Sequence, residues 1–327
     1  MTNTDTAPST TIAAPVPDIG LIRFDGPDAA AFLHGQLSSD VTGMAPGTVA
    51  WSGYNSPKGR MLGSLLLWRR GPEAYVAFVA ADIAETLRKR LAMYVLRARV
   101  TVADLTPSGR SFGVAGPNAR DVISAALDAT VEAARGSVAS DDRLIVAAPD
   151  GRYLVHAPEA QADDTWNRLV AHATAAPTEE WNWRVIRSGV PLITQATADL
   201  FVPQTANWDL VGGINFQKGC YPGQEIVARM QYLGRLKERL FAFHVDAMAP
   251  APATPIFSAT FGEQSCGTVV NAASAPGGGS DLLAVVQWAA LSDAQLHLST
   301  VDGPVLSQRA LPYDVPAPVA PTRPKLA

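Results

Sequence analysis

Two cysteines in 327 residues, Cys220 and Cys266, set the first limit on this chain. They cannot build the disulfide framework of a small secreted domain. Nor can they supply the four thiolates that an iron–sulfur cluster usually takes. No C-x-x-C and no H-E-x-x-H occurs, and the five histidines are scattered, so no intrinsic metal site is expected. Charge is scarce as well: 17% of residues are charged and the formal net charge is -4. A duplex-binding protein carries a basic excess, so direct nucleic-acid binding is not expected. The basic clusters Arg88 to Arg90 and Arg235 to Arg239 sit beside acids and read as solvated helix or strand faces. No apolar run approaches the roughly 20 residues of a membrane span. The N-terminal stretch has no basic segment followed by an apolar one, carries Asp5, and has no arginine before Arg23. It therefore reads as neither a secretory signal nor a mitochondrial presequence. The expectation is a soluble, cytoplasmic monomer with no membrane attachment.

Hydrophobic residues make up 47% of the chain, enough for a packed core. The length suggests about two domains. Residues 1–17, rich in Thr, Ala and Pro, read as a flexible tail, and residues 312–327 as a Pro-rich one. Between them runs an internal echo. Leu21 to Phe24 is a short apolar strand, followed by Gly26-Pro27 and a helical pattern through Phe32, Leu33 and Leu37. Phe112 to Ala115, Gly116-Pro117 and the series Val122, Ile123, Leu127 repeat that grammar. In both copies the proline suits the first helical turn, where its missing N–H costs nothing. Each copy continues with a strand and a helix. Ala74 to Ala80 leads into a helix from about Asp82 to Leu96, with Asp82 and Glu85 as a capping pair. Arg152 to His156 follows the hairpin signal Asp150-Gly151 and leads to a helix near 163–172.

The fold class expected is therefore α+β. Two ferredoxin-like βαββαβ halves, about 18–108 and 109–239, form one unit with a pocket at their junction. After Arg239 short β runs separated by Pro and Gly turns predict a small β-barrel over 240–311.

The segment Phe216 to Met230 carries the chemistry. Ile226, Val227 and Met230 predict a helix starting near Pro222, with Glu225 at its positive end. Cys220 then stands just before a helix N-terminus, two residues from Lys218, and both favour thiolate over thiol. Gly219 and Gly223 let the backbone turn tightly and a partner approach. A buried structural cysteine is the bland alternative for Cys220, and it is the preferred reading of Cys266.

Lys218-Gly-Cys-Tyr-Pro-Gly-Gln-Glu225 resembles the K-G-C-Y-x-G-Q-E signature of the YgfZ family, bacterial relatives of a mitochondrial iron–sulfur assembly factor. Phe32 to Asp40, Lys58-Gly-Arg60, Arg187 to Pro191, Phe201 to Gln204 and Asn207 extend the likeness over most of residues 18–240. The resemblance implies a fold shared with the aminomethyltransferase of glycine cleavage, and a central pocket for tetrahydrofolate or a derivative. It implies Trp181, Arg187, Gln204, Asn207, Lys58 and Arg60 as cofactor-binding candidates, with Arg187, Lys58 and Arg60 offered to a glutamate tail. Trp181 is the flat wall, whereas Ile19 stands where a second aromatic is expected; Trp183 and Trp51 read as core packing. The functional thiol would be Cys220, supported by Lys218, Tyr221, Gln224 and Glu225. The implied role is accessory rather than catalytic: support of iron–sulfur client or assembly proteins, tRNA-modifying enzymes among them. The alternative is a folate-dependent one-carbon transferase, with Asp40 or Glu225 as the carboxylate that manages protons.

Overall fold

The computed structural model describes residues 9–139, 142–232, 236–293 and 295–317. The outer parts of both expected tails (1–8 and 318–327) and Arg235 lie outside the described residues. The chain opens with β1 (Ile12–Pro15), then β2 (Ile19–Asp25), α1 (Ala29–Gln36), β3 (Val49–Asn55), β4 (Met61–Arg69), β5 (Ala74–Ala80), α2 (Ala81–Met93) and β6 (Thr101–Asp104). Strands β2 to β6 form one sheet in the order β3-β4-β5-β2-β6. That is the ferredoxin-like order with β3 added at one edge. Phe24, Leu33, Leu37, Leu87 and Leu91 are buried together between this sheet and its helices.

The second half contains β7 (Gly109–Ala115), α3 (Ala119–Leu127), β8 (Gly136–Val138), β9 (Leu144–Ala147), β10 (Tyr153–Pro158), α4 (Glu159–Val170) and β11 (Thr174–Ala175). Its sheet runs β11-β1-β7-β10-β9-β8. The place beside β7 is thus filled by β1 from the start of the chain, paired antiparallel from Ile12↔Ala115 to Pro15↔Phe112. For residues 12–17 this overturns the reading of residues 1–17 as a flexible tail. Ile12, Ala13, Ala14 and Val16 are each no more than 1% exposed. The strand satisfies the edge of β7 and buries side chains on both of its faces.

The internal echo is visible in the backbone. Gly26 and Gly116 both have φ +139°, and a Cβ on either would collide with backbone: Arg99 O at 2.0 Å or Thr11 Cα at 2.5 Å. Only glycine fits either position. Pro27 and Pro117 stand just before the N-caps Asp28 and Asn118, two positions ahead of the first helical residues Ala29 and Ala119. The Asp82–Glu85 capping pair does not form. Residue Ala80 holds the N-cap position, Asp82 accepts from the Gln195 N–H at 2.9 Å, and Glu85 pairs with Arg88 at 2.7 Å. The expected hairpin does form, with Gly151 at φ +84° between β9 and β10.

Helix α5 (Thr178–Arg187) and, after a long irregular stretch, α6 (Gln224–Tyr232) lead to the barrel. Its strands are β12 (Glu238–Val245), β13 (Pro255–Ser258), β14 (Gly267–Ser274), β15 (Ser280–Gln287), β16 (Leu296–Leu298) and β17 (Val305–Arg309), closed in the order β12-β15-β14-β13-β16-β17. Arg239, expected on a solvated face, is 4% exposed and pairs with Asp209 at 2.6 Å. It fastens β12 to the segment before α6. Part of the expected Pro-rich tail is also held, because the Tyr313 hydroxyl donates to Gly189 O at 2.7 Å.

The seat of β1 is testable. Ile12→Ala is expected to lower unfolding free energy by about 3 kcal/mol, as for other buried aliphatic truncations. Urea denaturation followed by circular dichroism measures it, and a tail would give no change.

Candidate functional site

Two sites emerge. The first is a cavity of about 330 Å³ where the two sheets, α5 and the barrel meet. The β1–β2 link contributes Val16 and Asp18, the first sheet contributes Ile19, Trp51, Ser64 and Phe78, and β14 contributes Asn271. Trp181 projects from α5 as a wall residue. A Cβ on Gly113 of β7 would lie 2.4 Å from the Trp181 ring, so glycine there lets the indole lie flat on the sheet. The Arg152 guanidinium sits 5.3 Å from the Trp181 ring centroid. It is steadied by Asp150, whose Oδ2 accepts from Arg152 Nε at 3.0 Å. Arg152 is the one basic residue among the described residues that line the cavity; Asp18 and Asp82 are the acids.

Of the six cofactor-binding candidates, only Trp181 lines this cavity. Gln204 is fully buried and donates to Val227 O at 2.7 Å, which anchors α6. Asn207 donates to Leu240 O at 2.9 Å from a left-handed backbone, φ +57°, and so ties the chain to β12. Arg187 faces a crevice shared with Asp281 and Arg309 at the barrel seam. Lys58 and Arg60 lie beside the cysteine loop. Trp51, expected in the core, lines the cavity with one part of its ring and meets Trp208 with another, at 5.9 Å between centroids. Trp183 packs at the barrel and donates to Asp281 at 2.8 Å.

The second site is the loop from Lys218 to Glu225. Lys218 Nζ donates to the carbonyl oxygens of His34 and of Leu37, the latter at 2.6 Å, at the C-terminal end of α1. Ammonium there is favoured by the helix dipole. The same Nζ lies 4.8 Å from the centre of the Tyr221 ring. Burial lowers the Lys218 ammonium from 10.5 to about 8, against smaller opposing effects of Asp40 and Cys220. Burial also pushes the Tyr221 hydroxyl up to about 12. Gln224 Nε2 closes the loop onto Lys218 O at 3.4 Å. Cys220 and Glu225 are exposed, whereas Cys266 is 1% exposed in the barrel and burial raises its thiol.

Two glycines hold this loop in place. Gly223 has φ +77° and Gly59 has φ +71°. A Cβ on Gly223 would stand 2.4 Å from Ser56 O and 2.6 Å from Gly59 Cα. One on Gly59 would stand 2.7 Å from Ile226 Cβ. The turn at Lys58-Gly59-Arg60 and the turn at Pro222-Gly223 therefore meet backbone to backbone. Arg60 donates to Leu200 O and secures its own turn. Sequence reasoning missed Arg152, Asp18 and Trp51 as cavity residues; the Asp150-Gly151 turn was the signal that puts Arg152 at the head of a strand.

Lys218 makes a signed prediction. Between about pH 8 and 10.5 the unfolded chain keeps a proton that the folded lysine has lost, so folding becomes more favourable as pH rises through that window. Denaturation midpoints of wild type and Lys218→Met should separate in favour of wild type from pH 7.5 to 10. A gap that stays constant would contradict the burial of this ammonium.

Comparisons with known proteins follow the same lines. Residues 14–135 match the family model described as GCVT N-terminal domain. The tRNA-modifying protein YgfZ of Edwardsiella ictaluri is 30% identical over 297 residues, covering 89% of each chain. The protein of the same name from Photorhabdus laumondii is 30% identical over 242 residues, covering 73% of this chain and 72% of the relative. Among solved structures, the glycine cleavage system aminomethyltransferase T of Bartonella henselae superposes with a TM-score of 0.77 at 16% identity. It covers 93% of this chain and 86% of that one, a likeness of fold. With the GcvT-like fold and the intact octet in place, the chain belongs to the YgfZ family.

Proposed function

We propose that this chain binds tetrahydrofolate or a derivative in the junction cavity and supports the assembly or repair of iron–sulfur clusters in client enzymes through Cys220. The cavity carries the first half of this reading. Its volume, about 330 Å³, is within the range of small-molecule sites. Trp181 and Trp51 supply flat apolar wall for a pterin and its aromatic spacer. Asp18 and Asp82 offer acceptors for the N–H groups of a pterin, and Arg152, whose Nε and Nη2 are held by Asp150, offers its remaining Nη1 and its charge to a carboxylate. The residues present fit the ligand. Arg152 takes the place that the sequence reading assigned to Arg187, Lys58 and Arg60.

The second half rests on the loop. A single exposed thiol cannot hold a cluster, so Cys220 acts on a partner, shares a ligand set or carries sulfur transiently. The name of these relatives, tRNA-modifying protein, is in keeping with clients among tRNA-modifying enzymes. The carboxylates that the transferase reading named, Asp40 and Glu225, stand outside the cavity, whose own acids are Asp18 and Asp82. Asp40 is committed to the Gly43 N–H and the Thr42 hydroxyl, Glu225 points outward on α6, and neither lines the cavity.

Calorimetric titration with tetrahydrofolate tests the ligand. Trp181→Ala and Arg152→Ala should each weaken binding about tenfold or more, equivalent to about 1.4 kcal/mol. Cys220→Ser should bind as wild type does, yet fail to sustain the activity of iron–sulfur enzymes in cells lacking the wild-type chain. Full client activity with Cys220→Ser would sink the role given to the thiol.

A further inference from the structure

The last turn of α1 places a histidine under the cysteine loop. Lys218 grips the backbone of His34 through its carbonyl, and the His34 ring faces the next residue along, Gly219. His34 Nε2 lies 3.5 Å from where a Cβ on Gly219 would stand, and apart from the two neighbours in the chain no other side chain among the described residues comes within 4 Å of that point. Gly219 is the residue between Lys218 and Cys220.

The other ring nitrogen is occupied. His34 Nδ1 lies 3.2 Å from Asp40 Oδ1 and 3.1 Å from Thr42 Oγ1. Thr42 spends its hydroxyl proton on Asp40 Oδ1 at 2.9 Å, and the Gly43 N–H donates to the same oxygen at 3.0 Å. Those bonds hold the Asp40 carboxyl below the usual range, so it is ionised and can only accept. Both near neighbours of Nδ1 therefore present lone pairs, and the proton belongs on Nδ1. The Thr42 N–H, at 3.5 Å, is too far to reverse this. The tautomer that follows leaves Nε2 unprotonated and turned toward the cysteine loop. Burial, and then the Lys218 ammonium, lower the His34 imidazolium below its ordinary range, while Asp40 opposes them, so the ring rests neutral with a lone pair on Nε2.

We propose that His34, oriented by Asp40, is the proton acceptor that activates Cys220. The inference rests on the reading of Cys220 as a functional thiol. In the step, the proton of the Sγ–H group passes to His34 Nε2, leaving a thiolate and an imidazolium. Asp40 balances the new positive charge, and Lys218 sits within electrostatic reach of the thiolate. When the thiolate attacks an electrophile, the S–C or S–S bond forms, the leaving group departs with its electron pair, and the imidazolium returns its proton to that group or to water. Gly219, exposed and unhindered apart from the His34 ring, is the backbone freedom that lets Sγ close on that ring, while Gly223 stays fixed against Ser56 and Gly59.

Iodoacetamide alkylation of the folded full-length chain, followed by mass spectrometry at Cys220 from pH 5.5 to 9.5, tests this. Wild type should react about tenfold faster than His34→Gln at pH 7. The two rates should converge by pH 9.5, where hydroxide removes the proton without help. Asp40→Asn, at a position whose side chain is 40% exposed, should give the same pattern in weaker form and covers the case in which His34→Gln folds poorly. Superimposable profiles, or slowing by one factor at every pH, would overturn the role of His34 while leaving Cys220 functional. A wild-type Cys220 that reacts at pH 7 no faster than glutathione would remove the functional thiol itself, and this inference with it.

Discussion

Three residues, Val16, Pro17 and Asp18, join a strand of one sheet to a strand of the other. From Pro15 in β1 to Ile19 in β2 the chain can span at most about 14 Å. The two ferredoxin-like sheets are therefore clamped side by side at their first strands, and their facing surfaces cannot part. The cavity lies at that clamp, and the link itself supplies part of the wall through Val16 and Asp18, with Ile19 next to it at the start of β2. Helix α5 then crosses the same seam, laying Trp181 on Gly113 and fixing Arg184 to the carbonyls of Thr10 and Ala115 at 2.8 and 2.9 Å. The barrel closes the remaining side with Asn271 and Ala272. A chain segment that looks expendable determines where a ligand could go.

The cysteine loop is built by a different device. It has little regular structure and is positioned by its contacts: the lysine on the last carbonyls of α1, and the two left-handed glycines pressed together. Ammonium burial here works against stability at neutral pH, which is the pattern expected where geometry is held for use rather than for folding. The two sites are physically continuous. Trp51 of the cavity meets Trp208, and Gly213 leaves room for that indole. The Gly213 carbonyl accepts from Ser38 at 2.6 Å, and Ser38 follows Leu37, whose carbonyl accepts a hydrogen bond from Lys218.

Much of this was legible in the sequence where the cause is local. Gly26-Pro27 and Gly116-Pro117 announce the duplicated halves because only glycine tolerates that backbone beside a neighbouring chain. Asp150-Gly151 announces its hairpin for the same kind of reason. The β texture after Arg239 announces the barrel. What could not be read depends on partners distant in sequence. Strand β1 pairs with β7 about 100 residues on, and its Ala- and Pro-rich text carries no alternation to betray it. Lys58 and Arg60 read as free charges suited to a glutamate tail; their turn is occupied instead by a glycine contact with the octet. Gln204 and Asn207 read as ligand contacts, yet both are buried and spend their amides on backbone carbonyls. The Asp150-Gly151 turn puts Arg152 at the head of a strand, but nothing local in the sequence shows that this strand faces a tryptophan.

The central claim is that a folate-like ligand sits at the clamp between the sheets, apart from the thiol. A crystal structure of the chain grown with tetrahydrofolate tests it most directly. The account predicts ligand density against Trp181 and Trp51 with a carboxylate on Arg152, and no ligand at Lys218 to Glu225. Density at the cysteine loop, or a junction cavity that stays filled with solvent at saturating ligand, would contradict it.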